Sequence, residues 1–154
     1  MSSSPTKLLL DSDVITALGG MEGEYYDKAV HCLTRFPEPQ LCIAMLTFYE
    51  LEYSIAAASN QDIQNKIRQS IDSLKANLTV LNLGFEDAQI YGQLKQGFKQ
   101  RTGINQKALK RHNIDIALAS IAIANDCILV GQDGIYSDHL VHLDDRFQHQ
   151  DWNI

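Results

Sequence analysis

The stretch "NIDIALASIAIANDCILVGQD", residues 113–133, sets two elements back to back. From Ile114 to Asn125 almost every residue is apolar or small, over a length that suits a helix better than a strand. A helix that is apolar all round belongs in the interior. "CILVG", Cys127 to Gly131, is short, apolar and branched, as in a strand covered on both faces. A buried helix running straight into a buried strand is the unit from which α/β folds are assembled. Asp115 opens the helix, and Asp133 lies just past the strand.

The same alternation runs through the rest of the chain. "KLLLD" (7–11) is expected to be the first strand, "QLCIAML" (40–46) the second and "LTVLNL" (78–83) the third. The spacing predicts helices over 22–36, 47–59, 60–77 and 85–101, the last with Ala88, Tyr91, Leu94 and Phe98 inward. "LVHL" (140–143) is a candidate short fifth strand. The expected architecture is a three-layer α/β/α fold with a central, mostly parallel sheet. Residues 1–6 read as a flexible N-terminal tail and 7–154 as one domain, a length that supports a single core.

No apolar run approaches the roughly 20 residues that span a bilayer, and the start has no apolar secretion segment. No membrane partner is expected. Cys32, Cys42 and Cys127 are odd in number and widely spaced, which predicts free thiols and a cytoplasmic protein. Net charge is −6, yet residues 88–114 contain no acid and six basic residues: Lys95, Lys99, Arg101, Lys107, Lys110 and Arg111. Such a stripe can steer a polyanion despite the negative total, although a solvated helix face would look the same.

In parallel sheets, ligands gather beyond the carboxyl ends of the strands. Asp11 ends the first strand, Glu50 follows the second, Asp133 follows the fourth, and Asp115 opens the helix before it. Taken singly, each acid has a local explanation. Thr47 and Glu50 fit a capping box, Asn113 an N-cap with Asp115 in the first turn, and Asp133-Gly134 a turn. Asp11 and Asp13 could start a helix at Val14. Taken together, four converging carboxylates repel one another unless a cation or protons intervene. An all-oxygen set of this kind suits Mg²⁺ or Mn²⁺.

The order and spacing of these motifs resemble the PIN-domain ribonucleases, specifically VapC-type toxins of toxin–antitoxin pairs. The resemblance runs through "LLLDSDVITAL", "TFYELEYSI", "DAQIYGQLKQGFKQRTG", "NIDIALASIAIANDCILVGQD" and the closing "HQDW". It implies a PIN-like fold and an endoribonuclease using Mg²⁺ or Mn²⁺ held by Asp11, Glu50, Asp115 and Asp133. It also implies Ser12 in a supporting position, an antitoxin protein as partner and a homodimer. Asp13 stands where the family usually has Asn, Glu52 where a basic or neutral residue is common, Ser54 where Gly is common, and Gly131 where Thr or Ser is usual. The connection from Gly103 to Asp115 is longer than typical. Its Lys107, Lys110 and Arg111 are expected to contact RNA phosphates.

Two other readings compete. "LLLDSD" also resembles the haloacid-dehalogenase phosphatases, with Asp11 as nucleophile, Asp13 as acid/base and Thr47 as a supporting hydroxyl. Lys107 and Lys110 fit that family's lysine only loosely, and Glu50 and Asp115 have no role in it. The other is a non-catalytic PIN-like domain that only binds a partner, which the departures at Asp13, Glu52 and Gly131 would permit.

Overall fold

The computed structural model describes residues 4–154. In chain order the elements are β1 (Lys7–Leu10), α1 (Ser12–Gly20), α2 (Glu24–Leu33), β2 (Gln40–Ala44), α3 (Met45–Ala57), α4 (Gln61–Asn77), β3 (Thr79–Leu81) and α5 (Phe85–Thr102). There follow α6 (Gln106–Leu109), a 3-10 turn (Lys110–His112), α7 (Asn113–Ala124), β4 (Cys127–Val130), α8 (Gly134–Asp138), a second 3-10 turn (Leu140–His142) and β5 (Gln148–Gln150). The five strands form one sheet in the order β3-β2-β1-β4-β5, and every pairing is parallel.

Strand side chains alternate between faces, so the two sides of the sheet build separate cores. On one face Leu9, Cys42, Ala44 and Leu129 meet Ile90, Leu94 and Phe98 of α5 and Ile116 and Leu118 of α7. On the other, Leu8, Leu10, Val130 and Ile43 meet Val14 and Ala29 of α1 and α2, and Phe48 and Ile71 of α3 and α4. This is the three-layer α/β/α architecture that the alternation predicts. Helix α7 is buried from Ile116 to Ile123 apart from the half-buried Ala117, as its composition requires. The three cysteines are free. Among the described residues no helix is long and apolar enough to cross a membrane.

Several local expectations are corrected. "LVHL" is not a strand: Leu140–His142 is a 3-10 turn, and "QHQ" is the edge strand β5. An edge strand of three polar residues has no apolar alternation to reveal it. Thr47 is not an N-cap, because α3 starts at Met45 directly after β2. Thr47 is buried inside the first turn, and its Oγ1 has no hydrogen-bond partner among the described residues. Nor does Asn113 cap α7: the preceding 3-10 turn leads straight into the helix, so Asn113 is already helical and His112 stands at the boundary. In α5 the inward face is Asp87, Ile90, Leu94 and Phe98, and Ala88 is exposed. The proposed tail lies partly outside the described residues, and its last residue is tied down. The Thr6 carbonyl accepts a hydrogen bond from the Gln40 N–H at 2.9 Å.

Candidate active site

β1 is the centre of the sheet, with β2 on one side and β4 on the other. The chain therefore leaves β1 at the point where the strand order reverses, and a crevice opens there beyond the carboxyl ends. Asp11 is the first residue after β1. Its backbone N–H still donates to Val130 O of β4 at 2.9 Å, and its Oδ1 accepts from the Ser12 N–H at 2.7 Å, capping α1. Asp133 is the third residue after β4 and caps α8, accepting from the Ile135 N–H at 3.1 Å. Asp115 sits in the first turn of α7 and Glu50 on the exposed side of α3. The helix start anticipated at Asp11 is thus present, Asp133 caps a short helix where a turn was expected, and both residues border the crevice.

The residue that joins the acids is one the sequence did not mark. The Tyr136 hydroxyl donates to Asp11 Oδ2 at 2.9 Å and lies 3.2 Å from Asp115 Oδ1. Tyr136 is fully buried, beside Phe147 and His149 with ring centroids 6.1 and 5.2 Å away. His149 Nε2 is 2.6 Å from the Gly131 carbonyl, so this nitrogen carries the proton. A phenol has one proton. With that proton given to Asp11, the approach of Asp115 is attractive only when Asp115 is itself protonated and donates to the phenol oxygen.

The electrostatics agree. Burial pushes the Asp115 carboxyl up to about 6, assisted by the charges of Asp133, Asp11 and Glu50 and opposed by the Tyr136 bond. Asp11 is raised chiefly by burial, against the hydrogen bonds from Ser12 and Tyr136. Glu50 is raised by burial and then by Asp11. Asp133 thus acts on Asp11 and Asp115, Asp11 on Glu50 and Asp115, and Glu50 on Asp115; the tyrosine hydroxyl lies far above its ordinary range because burial and two carboxylates oppose its ionisation.

Asp13 has a different role. Its Oδ2 accepts from the Tyr25 hydroxyl at 2.6 Å and from the Gln132 N–H at 3.2 Å. It fastens α1 to α2 and to the segment after β4. An Asp engaged in this way is poorly placed to be the acid/base of a phosphatase, and no lysine is among the groups acting on Asp11. Ser12 contributes its backbone N–H to Asp11. Gly131 leaves no room for the hydroxyl usual in the resemblance: a Cβ there would lie 2.9 Å from Asp11 Cβ. Glu52 is turned outward, paired with Arg68 on the surface.

Does this donor set fit a divalent cation? All of its donors are oxygen, and its mutual repulsion is what a cation relieves. Among the described residues no three His, Cys, Asp or Glu side chains close a ready-made cage. A cation here would have to be a hydrated ion on few protein oxygens, a mode Mg²⁺ tolerates. Asp11 and Asp115 are the two carboxylates brought to one phenol oxygen.

The long connection between α5 and α7 is an ordered element. Asn105 caps α6 by accepting from the Ala108 N–H at 2.9 Å, and Leu109 is buried. Lys107, Lys110 and Arg111 are exposed on it. Among the described residues, none of the six cations between positions 88 and 114 is in an ion pair, whereas Lys28, Arg68 and Arg146 elsewhere are.

No family model and no curated protein matches the sequence. Solved structures do match in fold. A chain of VapBC2 from Rickettsia felis, in a complex with a promoter DNA fragment, superposes with a TM-score of 0.71 at 16% identity, over 96% of this chain and 99% of that one. A chain of VapBC-1 from nontypeable Haemophilus influenzae gives 0.70 at 19%, over 97% and 100%. VapBC-5 from Mycobacterium tuberculosis, a member of a toxin–antitoxin family, gives 0.65 at 18%, over 97% and 100%. At such identities the likeness is one of fold, and the fold is the PIN-like α/β/α sandwich.

Proposed function

We propose that this protein is a metal-dependent endoribonuclease of the VapC toxin type. The observation that carries the reading is the convergence of Asp11, Glu50, Asp115 and Asp133, from four separate elements, into one electrostatically coupled cluster at the sheet switch point. Like charges gathered at a crevice without a basic partner are costly to a fold, and active sites are where such clusters recur.

Asp11 and Asp115 would hold Mg²⁺ or Mn²⁺ directly, with Asp133 and Glu50 contributing field and water-mediated contacts. When bound, the ion would lower the pKa of water and stabilise charge on the phosphodiester undergoing in-line attack. The protein's own residues do the rest. Tyr136 orients the Asp11 carboxylate and favours its ionised form against the effect of burial. Asp133 and Glu50 can accept a proton from attacking water at the exposed side of the crevice. The unpaired cations of α5, α6 and the 3-10 turn that follows, Lys107, Lys110 and Arg111 among them, attract the RNA backbone.

The neighbouring VapBC structures are complexes of a toxin–antitoxin type, which supports a cognate antitoxin as partner. Homodimerisation belongs to the same reading. The test is isothermal titration of the metal-free protein with Mn²⁺, followed by RNA cleavage with and without EDTA. Absence of Mn²⁺ binding would leave a PIN-like domain without its chemistry.

A further inference from the structure

Next to the carboxylates lies a second concavity that the phosphodiester chemistry does not use. It has a volume of about 510 Å³ and is bounded by Asp133 on one side and by Phe98, Ile104, His112, Asp138 and His139 on the others. We infer that this cavity is a nucleobase subsite, holding the base of a nucleotide that flanks the scissile phosphate. The inference rests on the ribonuclease reading and specifies its substrate contacts.

Three observations carry it. First, the cavity shares Asp133 with the acidic cluster, so a strand crossing the crevice passes its mouth. Second, the cavity has ring faces and edges for a base. The rings of His112 and His139 both stand edge-on to Phe98, with centroids 5.1 and 5.3 Å away. Single-stranded RNA is recognised by stacking and by hydrogen bonds to base edges. Third, it carries a donor and an acceptor. Arg101 Nε donates to His139 Nδ1 at 3.3 Å, which fixes the neutral tautomer with its proton on Nε2. That N–H has no protein partner among the described residues, and the exposed Asp138 carboxylate stands one residue away as an acceptor. Arg101 Nη2 also donates to the Asp138 carbonyl at 3.4 Å, so one guanidinium positions both. The volume is within the range of small-ligand pockets.

The test is equilibrium binding of labelled single-stranded RNA octamers, one for each base, in Ca²⁺, with intact RNA verified on a gel. A 2-aminopurine substitution reports stacking directly. Wild type should discriminate among the four octamers, and 2-aminopurine should be quenched. His139→Ala and His112→Ala should each weaken the preferred octamer roughly tenfold. His139→Gln, which keeps a donor, should recover part of the loss. Asp138→Asn should change the order of base preference. Arg111→Ala should weaken all four octamers alike, lower the salt dependence and leave base order intact. Unchanged thermal unfolding in the histidine variants guards against misfolding. Wild type that binds RNA, with all histidine and Asp138 variants binding equally and in the same order, overturns the subsite and leaves the nuclease. Wild type that neither binds any octamer nor cuts RNA with Mn²⁺ overturns both.

Discussion

Asp115→Asn should stabilise the metal-free protein, and the pH dependence of that gain is the informative part. The Asp115 carboxyl is displaced from 3.8 to about 6. Its native pKa is above its unfolded value, so between about pH 4 and 6 the native state holds the extra proton. The stability linked to this group is full below pH 4 and is lost as pH rises through 6. At about 1.4 kcal/mol for each tenfold displacement, the penalty above pH 6 is at most about 3 kcal/mol. Asp115 is partly exposed, and screening reduces this to about 1–2 kcal/mol. Asn keeps the shape and, through its amide N–H, a donor to the Tyr136 oxygen while removing the charge. Urea unfolding in EDTA should show the variant more stable than wild type by about 1–2 kcal/mol at pH 8, and equal to it near pH 3.5. Saturating Mn²⁺ should then reverse the order at pH 8, because only wild type gains binding energy. A variant that is no more stable at pH 8, or a difference independent of pH, would refute the argument that the acids are held together against their own repulsion.

Three other perturbations separate the site's parts. Tyr136→Phe removes a donor that opposes the upward shift of the Asp11 carboxyl, so Mn²⁺ affinity should fall at acidic pH and recover as the pH rises; a loss independent of pH would count against that role. Tyr25→Phe should cost about 1 kcal/mol of stability by freeing Asp13 while leaving Mn²⁺ affinity intact, as calorimetry and urea unfolding can show. Gly131→Ala places a Cβ 3.0 Å from Asp11 Oδ2; it should destabilise the fold by about 1–3 kcal/mol and weaken Mn²⁺ binding, and a variant with wild-type Mn²⁺ affinity would show that Asp11 can move aside without loss.

The layers and the four acids were legible because burial leaves a strong mark. A parallel strand covered on both faces must be continuously apolar, and Leu8–Leu10 and Cys127–Val130 are. The helix from Asn113 to Ala124 could be recognised for the same reason. What the chain's order could not reveal were contacts made across it. Tyr136 looks like one more apolar residue of a short helix, and only the fold brings its hydroxyl to Asp11, 125 positions away. Asp13 was legible only as an added charge beside Asp11, and the fold alone shows that α2 delivers Tyr25 to it. Thr47 carried a capping pattern, but the extended residue at the start of α3 is Ala44, the last of β2, so Thr47 is already helical. The polar edge strand Gln148–Gln150 is held by pairing with β4, which no local pattern announces.

The central claim is that Asp11 and Asp115 hold the cation that supports RNA hydrolysis. Its most direct test is cleavage of a labelled single-stranded RNA by wild type, Asp11→Asn and Asp115→Asn in Mn²⁺, each with folding verified by circular dichroism. Wild type should cut the RNA, EDTA should abolish cutting, and both variants should lose at least about a hundredfold in rate. Equal cleavage by all three proteins, or cleavage that survives EDTA, would contradict the account.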